Sequence, residues 1–101
     1  MTAAERMPPA TPPEHAARDE ADRALREVIA GILPALPPQE VVHTRHLKDL
    51  GADSVDRVEI IAGVTARLGL DVPMGRFSDI PDIGALVGFL ADCLDRSRRT
   101  A

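Results

Sequence analysis

A serine surrounded by carboxylates, Ser54, is the residue whose type and setting most readily suggest chemistry. It follows a glycine-bearing turn and opens a helical pattern, with acids at Asp53, Asp56 and Glu59. A serine at such a position usually caps the free backbone N–H groups of the helix that follows. Alternatively, its hydroxyl can carry a phosphate-linked group, because the N-terminus of a helix favours an anion. Position alone favours the cap and leaves the alternative open.

The surroundings of Ser54 do not support nucleophilic catalysis. A serine hydrolase needs a histidine base and an acid that orients it, and no histidine lies at helical spacing from this serine. His43 and His46 belong to a preceding loop, in a chain too small to build a shielded site around them. No cluster of Cys, Asp or Glu completes a four-ligand metal site with them. We therefore expect solvated loop histidines, no metal and no enzymatic activity.

A helix over residues 54–68 must present this serine. Gly69 and Pro73 are typical of the end of a helix. Asp53 is predicted to be the N-cap, with Asp56 three residues later in the place of a capping box. The capping role then passes from the serine to the acid before it.

Two apolar rows run along this helix at about 100° per residue. The first, the predicted core face, consists of Ile60, Ile61, Val64 and Leu68. The second consists of Val55, Val58 and Ala62. Such a second row is either packed under a loop or offered to a partner, and spacing leaves both open. Arg57 lies toward the core side in the first turn, where its long stem can cover apolar surface and its head can reach an acid such as Asp49.

Two further amphipathic helices are predicted, at residues 17–33 and 82–96, each with an i, i+3, i+4, i+7 apolar stripe. Residues 75–80 predict one short helical turn. Residues 37–53 show no persistent period and are predicted to be a long loop. Three apolar residues that could pin this loop to the core are Val41, Leu47 and Leu50. The sequence thus predicts an all-α fold.

The chain has 101 residues, which allows a single domain. We predict a disordered, proline-rich arm at residues 1–16, a helical domain at 17–96 and a tail at 97–101. A net charge of -4 disfavours nucleic-acid binding and favours basic protein partners. The single cysteine, Cys93, excludes an intrachain disulfide and fits a cytosolic protein. No apolar run is long enough to span a membrane.

The segment from Leu50 to Ile60 closely resembles the attachment motif of acyl carrier proteins, typically Asp-Ser-Leu followed shortly by Val-Glu-Leu. The resemblance extends over about residues 20–95. It implies a four-helix bundle with a short third helix and a long loop between helices one and two. It also implies that Ser54 carries 4'-phosphopantetheine and that Asp53 is recognised by a phosphopantetheinyl transferase. The positions on helix two that it implies for contact with partner enzymes are Val55, Asp56, Val58, Glu59 and Ala62.

The sequence departs from the fatty-acid carriers by its arginines, Arg57, Arg67 and Arg76, and by Val55 in place of leucine. The pattern Asp-Ser-Val-x-Arg-x-Glu-Ile is similar to discrete carriers in polyketide and antibiotic clusters, especially the donor carriers of β-branching cassettes. Those present an acetyl group, formed by decarboxylation of malonyl, to an enzyme that resembles hydroxymethylglutaryl synthase. We therefore add Arg57 to the predicted partner-binding residues, with the hypothesis that it selects this enzyme. Acyltransferases and ketosynthases are the other implied partners, and we expect a cytoplasmic monomer.

Two other interpretations remain open. A peptidyl carrier is the nearest, but such carriers more often have Gly-Gly-His-Ser or Gly-Gly-Asp-Ser, whereas Gly51-Ala52-Asp53 precedes the serine here. This difference favours acyl over aminoacyl cargo. The second is an unmodified helical adaptor that binds a partner through the second apolar row. Transfer of phosphopantetheine from coenzyme A would separate the carriers from the adaptor.

Overall fold

Three α-helices make up the main part of the fold. The structure, a computed structural model, describes residues 13–100. Its helices are α1 (Pro13–Ile32), α2 (Ser54–Leu68) and α3 (Ile83–Thr100). Three short 3-10 helices lie between them, at Pro38–Glu40, Leu47–Leu50 and Met74–Phe77. Residues 13–100 contain no strand, which confirms the all-α prediction. The short third helix that we predicted at residues 75–80 is a single 3-10 turn.

Two predicted boundaries were wrong. α1 begins at Pro13 instead of residue 17, so residues 13–16 of the predicted arm are helical, and residues 1–12 lie outside the described residues. Proline is compatible with the first helical turn, where its missing N–H would have no partner. α3 continues to Thr100, so residues 97–100 of the predicted tail are helical too. An ion pair between Arg98 and Glu20 joins this last part of α3 to α1. None of the helices described here is both long and apolar enough to cross a membrane.

α1 is the helix against which both α2 and α3 pack. The largest fully buried side chains come from all three helices and are Leu25, Ile29, Ile60, Val64, Ile83, Val87 and Leu90. Gly63 allows α2 to approach α1 closely, because a Cβ there would lie 2.9 Å from Val28 Cγ1. The first apolar row of α2 therefore faces the core, as predicted. The other sides of α2 are turned away from α1.

The long loop between α1 and α2 is fixed to the helices. Its three predicted anchors are buried, namely Val41, Leu47 and Leu50. The carbonyl oxygen of His43 accepts the N–H of Gly84 at 2.9 Å, and that of Arg45 accepts the N–H of Ile83 at 2.8 Å. The loop thereby satisfies backbone N–H groups at the start of α3 that no helical carbonyl can reach. This loop consequently fixes the position of the segment that leads into Ser54.

His43 also ties the loop to α1. Its Nε2 lies 3.0 Å from Asp22 Oδ1, and the same carboxylate accepts Arg26 Nε at 3.0 Å. Burial raises the pKa of Asp22, but the hydrogen bonds and charges of His43 and Arg26 outweigh it, so the net pKa lies below the ordinary 3.8. His43 is exposed, as predicted, although it is paired. In residues 13–100 no group of three or more potential metal ligands forms around it or elsewhere.

We expect Asp22→Asn to destabilise the protein at neutral pH far more than in acid. Because the pKa is lower in the folded chain, ionised Asp22 stabilises the fold fully above pH 3.8, and this contribution is lost as the pH falls below that value. The free energy of unfolding should drop by about 1 kcal/mol at about pH 7, and by much less at about pH 2.5. Urea unfolding of the parent and of the variant measures this loss of free energy at each pH. Asp19→Asn, at an exposed acid on the same helix, is the control, and an equal loss at both pH values for Asp22→Asn would contradict the assignment.

Candidate functional site

The N-terminus of α2 is capped by Asp53. Its Oδ1 accepts the N–H of Asp56 at 2.8 Å, while its own N–H donates to Asp56 Oδ2 at 3.3 Å. This is the predicted capping box. Gly51, with φ of 89°, turns the chain toward the helix in a conformation that a side chain would disfavour. The acid therefore does the capping, and Ser54 is not needed for it.

Ser54 is exposed and its hydroxyl is uncommitted. No residue in the described part of the chain hydrogen-bonds to its Oγ, and the N–H groups of Ser54 and Val55 have no partner there either. Such free N–H groups, at the positive end of the helix dipole, favour an anion. Ser78 differs, because its Oγ donates to the carbonyl oxygen of Gly75 at 2.9 Å. Of these two serines, only Ser54 offers a hydroxyl that is both accessible and free.

The second apolar row of α2 is open to solvent. Val55 is 63% exposed and Val58 is 51% exposed. Ala62 and Glu59 are exposed as well, and Asp56 is half-buried beside them. The row is therefore not packed under the loop, which removes one of the two alternatives that spacing left open. The exposed side of α2 combines apolar and acidic groups, as an interaction surface does.

A groove of about 440 Å³ opens beside Ser54, and we call it the Ser54 groove. It lies between α2, the start of α3 and the 3-10 turns Leu47–Leu50 and Met74–Phe77. Its polar lining residues are His46, Lys48, Ser54, Arg57, Ser78 and Asp82. Apolar walls include Ile61, Phe77 and Leu86. No local pattern in the sequence indicates this groove, because its walls come from segments far apart in the chain.

Arg57 is half-buried and lines this groove. Its Nη1 lies 3.4 Å from the carbonyl oxygen of Ala52, which is long for a hydrogen bond. Asp49, which we considered as its partner, instead accepts the backbone N–H of His46 at 3.2 Å. No carboxylate of the described residues forms an ion pair with Arg57. Arg57 and Asp56 are thus the two half-buried members of the predicted partner-binding set, and the selection of a partner enzyme by Arg57 stays a prediction.

His46 serves as a cap and not as a base for Ser54. Its Nδ1 accepts the N–H of Lys48 at 2.9 Å, and with Asp49 it forms a capping box on the Leu47–Leu50 turn. It is half-buried, whereas we predicted a solvated side chain. Because neither His43 nor His46 hydrogen-bonds to Ser54, the arrangement does not form a nucleophile and base pair.

Comparison with known proteins points to one family. Residues 23–90 match the family described as Phosphopantetheine attachment site. The polyketide biosynthesis acyl-carrier-protein AcpK of Bacillus subtilis is 41% identical over 64 residues, which are 63% of this chain and 78% of that protein. An acyl carrier protein of Helicobacter pylori strain G27 is 32% identical over 68 residues, 67% of this chain and 87% of the other.

A stretch of a far longer protein is similar as well. The non-reducing polyketide synthase ausA of Emericella nidulans is 27% identical over 77 residues, 76% of this chain but 3% of the synthase. No solved structure matches the chain significantly.

Proposed function

We propose, because this chain belongs to the phosphopantetheine attachment-site family, that it is an acyl carrier protein of polyketide biosynthesis whose prosthetic arm is attached at Ser54. Proteins of this kind are non-catalytic carriers with 4'-phosphopantetheine covalently bound to a serine. The matched range contains two serines, Ser54 and Ser78. The single observation that carries the assignment is the free, exposed hydroxyl of Ser54, since the hydroxyl of Ser78 donates a hydrogen bond to the carbonyl oxygen of Gly75.

The residues around Ser54 suit this attachment. When bound, the arm supplies a thiol that holds the acyl group as a thioester. The Asp53 cap fixes the start of α2 and leaves the Ser54 hydroxyl open to a transferase. The free N–H groups of Ser54 and Val55 suit the negative charge of the phosphodiester. We further propose that residues 13–100 form the carrier domain, in which Met74–Phe77 takes the place of a short third helix in a four-helix bundle.

Partner enzymes are proposed to dock on the exposed side of α2. These are a phosphopantetheinyl transferase and synthase-type enzymes, among them acyltransferases and ketosynthases. The proposed contact residues are Val55, Asp56, Val58, Glu59 and Ala62, with Asp53 contacting the transferase. Apolar groups flanked by acids suit a basic partner that binds weakly and releases quickly.

The cargo that we propose is acetyl. The similarity to AcpK supports the polyketide pathway. The donor role is supported by the pattern Asp-Ser-Val-x-Arg-x-Glu-Ile from Asp53 to Ile60. In this role the carrier receives malonyl, a ketosynthase-like enzyme decarboxylates it, and the acetyl group passes to a hydroxymethylglutaryl-synthase-like enzyme for β-branching. We place the protein in the cytoplasm as a monomer, in a pathway to an antibiotic.

Acetyl transfer tests this role. The protein is loaded with malonyl-phosphopantetheine and mixed with the decarboxylating enzyme, the synthase-like enzyme and an acetoacetyl-loaded acceptor carrier of the same gene cluster. The acceptor should gain the branched acyl group, which intact mass detects. An aminoacyl group on protein isolated from its native host would identify a peptidyl carrier instead. Failure of coenzyme A and a broad transferase to modify the chain would favour the adaptor.

We expect Val58→Asp to slow this transfer about tenfold, equivalent to about 1.4 kcal/mol, because it places a charge in the apolar centre of the docking row. The rate is measured at limiting carrier concentration. Val42→Asp is the matched control, since Val42 is 40% exposed but lies in the loop before α2. Equal rates for the two variants would show that partners do not dock on this row.

A further inference from the structure

The Ser54 groove contains cations that have no acid partner. Lys48 and Arg57 line it together with Ser54, and neither forms an ion pair with any residue that the structure describes. Asp82 is the one carboxylate in the lining, and its Oδ1 accepts the N–H of Ala85 at 2.8 Å as a cap of α3. The lining thus has an excess of positive charge in a protein with a net charge of -4.

We infer that this groove binds a short acyl group bearing a free carboxylate, with Arg57 as the residue that determines specificity. The inference rests on the proposed function, because the acyl group reaches the groove on an arm attached to Ser54. A guanidinium has five N–H donors, and Arg57 uses one of them, in a long contact with Ala52. The others can bind both oxygens of a carboxylate, and Lys48 adds a second charge.

The character of the lining favours this cargo over a long alkyl chain. A volume of about 440 Å³ is near the small end of the range for ligand pockets. A long apolar chain in the groove would take Arg57 and Lys48 out of water without compensation, which is unfavourable. A carboxylate offsets that desolvation by pairing with them. A malonyl thioester has such a group one methylene from its thioester carbonyl, while Ile61 and Phe77 provide apolar contact for the arm.

An oxyanion in this region has two sources, the phosphodiester of the arm and the carboxylate of the cargo. We assign the cations to the carboxylate. The phosphodiester is attached at Ser54 itself, where the N–H groups of Ser54 and Val55 have no other partner among the described residues. Arg57 lies three residues further along α2 and lines the groove.

Thioester reactivity tests the inference. Malonyl and acetoacetyl arms are compared, because they have similar size and differ in the charge of the terminal group. Each is loaded on the parent protein and on R57Q. The rate constant for its reaction with hydroxylamine is then divided by the rate constant for the matching coenzyme A thioester. In the parent, the malonyl thioester should react about three- to tenfold more slowly than the acetoacetyl thioester. In R57Q the ratio of the acetoacetyl rate to the malonyl rate should fall toward one.

Two further variants sharpen the comparison. R67Q is the matched control, because Arg67 is an exposed arginine of α2 that pairs with Glu27 and does not line the groove. It should retain the parent's ratio. R57K keeps the charge without the two-pronged geometry and should give an intermediate ratio. Far-UV circular dichroism checks that each variant is folded, and the parent's acetoacetyl-to-malonyl rate ratio remains decisive if R57Q does not fold.

The possible results separate this inference from the proposed function. Normal loading with equal malonyl and acetoacetyl reactivity in the parent would overturn the inference alone, as would a ratio that R57Q leaves unchanged. A change in the phosphodiester 31P signal that R57Q causes equally with and without malonyl would assign the cations to the arm and overturn the cargo site. Failure of loading in the parent would overturn the proposed function together with the inference.

Discussion

Replacing Ser54 by alanine is expected to abolish attachment of phosphopantetheine. The phosphodiester forms on a side-chain oxygen, and the methyl group of alanine has none. Incubation with coenzyme A and a broad phosphopantetheinyl transferase, followed by intact mass, should show one added arm on the parent and none on Ser54→Ala. The fold should persist, because Asp53 caps the helix and Ser54 is exposed. We expect the free energy of unfolding to change by less than about 0.5 kcal/mol.

Ser78→Ala is the matched control for this result. It removes the other serine of the family match, whose hydroxyl donates to Gly75. This variant should take up the arm at the parent's rate and extent. Loading of Ser54→Ala, or loss of loading in Ser78→Ala, would contradict the assignment of the attachment site.

Replacing Ile60 by alanine is expected to lower the free energy of unfolding by about 2–5 kcal/mol, because it leaves a cavity between α2 and the other helices. Ile60 is fully buried on the core face of α2. Against a total of about 5–15 kcal/mol for a domain, such a loss is large. The higher helix propensity of alanine offsets a few tenths of a kcal/mol of it. Urea unfolding measures the change.

Val58→Ala, on the same helix, controls for helix propensity. Val58 is 51% exposed, so its truncation should change the free energy of unfolding by less than about 0.5 kcal/mol. Similar losses for Ile60→Ala and Val58→Ala would mean that the two apolar rows do not differ in burial. A large difference between them would support the separation of a core face from a docking face.

Local signals in the sequence were sufficient for much of the fold and of the candidate site. The apolar period of α2 identified Ile60 and Val64 as core residues, and both are fully buried. The Asp53 cap also follows from short-range chemistry, since its partner Asp56 is three residues away. The start of α1 and the end of α3 were misplaced because these parts of the helices carry few large apolar residues. Contacts such as the ion pair between Arg98 and Glu20, which join residues far apart in the sequence, are not expressed in a local pattern.

The side chains of Arg57 and His46 show where sequence interpretation failed. Helical spacing placed Arg57 toward the core side but could not show that no carboxylate of the described residues pairs with it. His46 was expected in solvent because it lies in a loop and no ligand cluster completes a metal site with it, yet it caps a 3-10 turn and lines the groove. Both outcomes depend on how the loop folds back onto α2 and α3, and a loop of this length has no repeating pattern that reveals its path.

By itself, the sequence determined the three helical segments, the cap at Asp53 and a serine at the start of α2. These depend on residues within one or two turns of each other, so local hydrogen bonding and apolar periodicity specify them. Only the tertiary structure decided that Val55 and Val58 face solvent and that a groove with unpaired cations opens beside Ser54. Spacing gives the direction of a side chain around its own helix. Which of those directions another part of the chain covers is set by packing between distant segments.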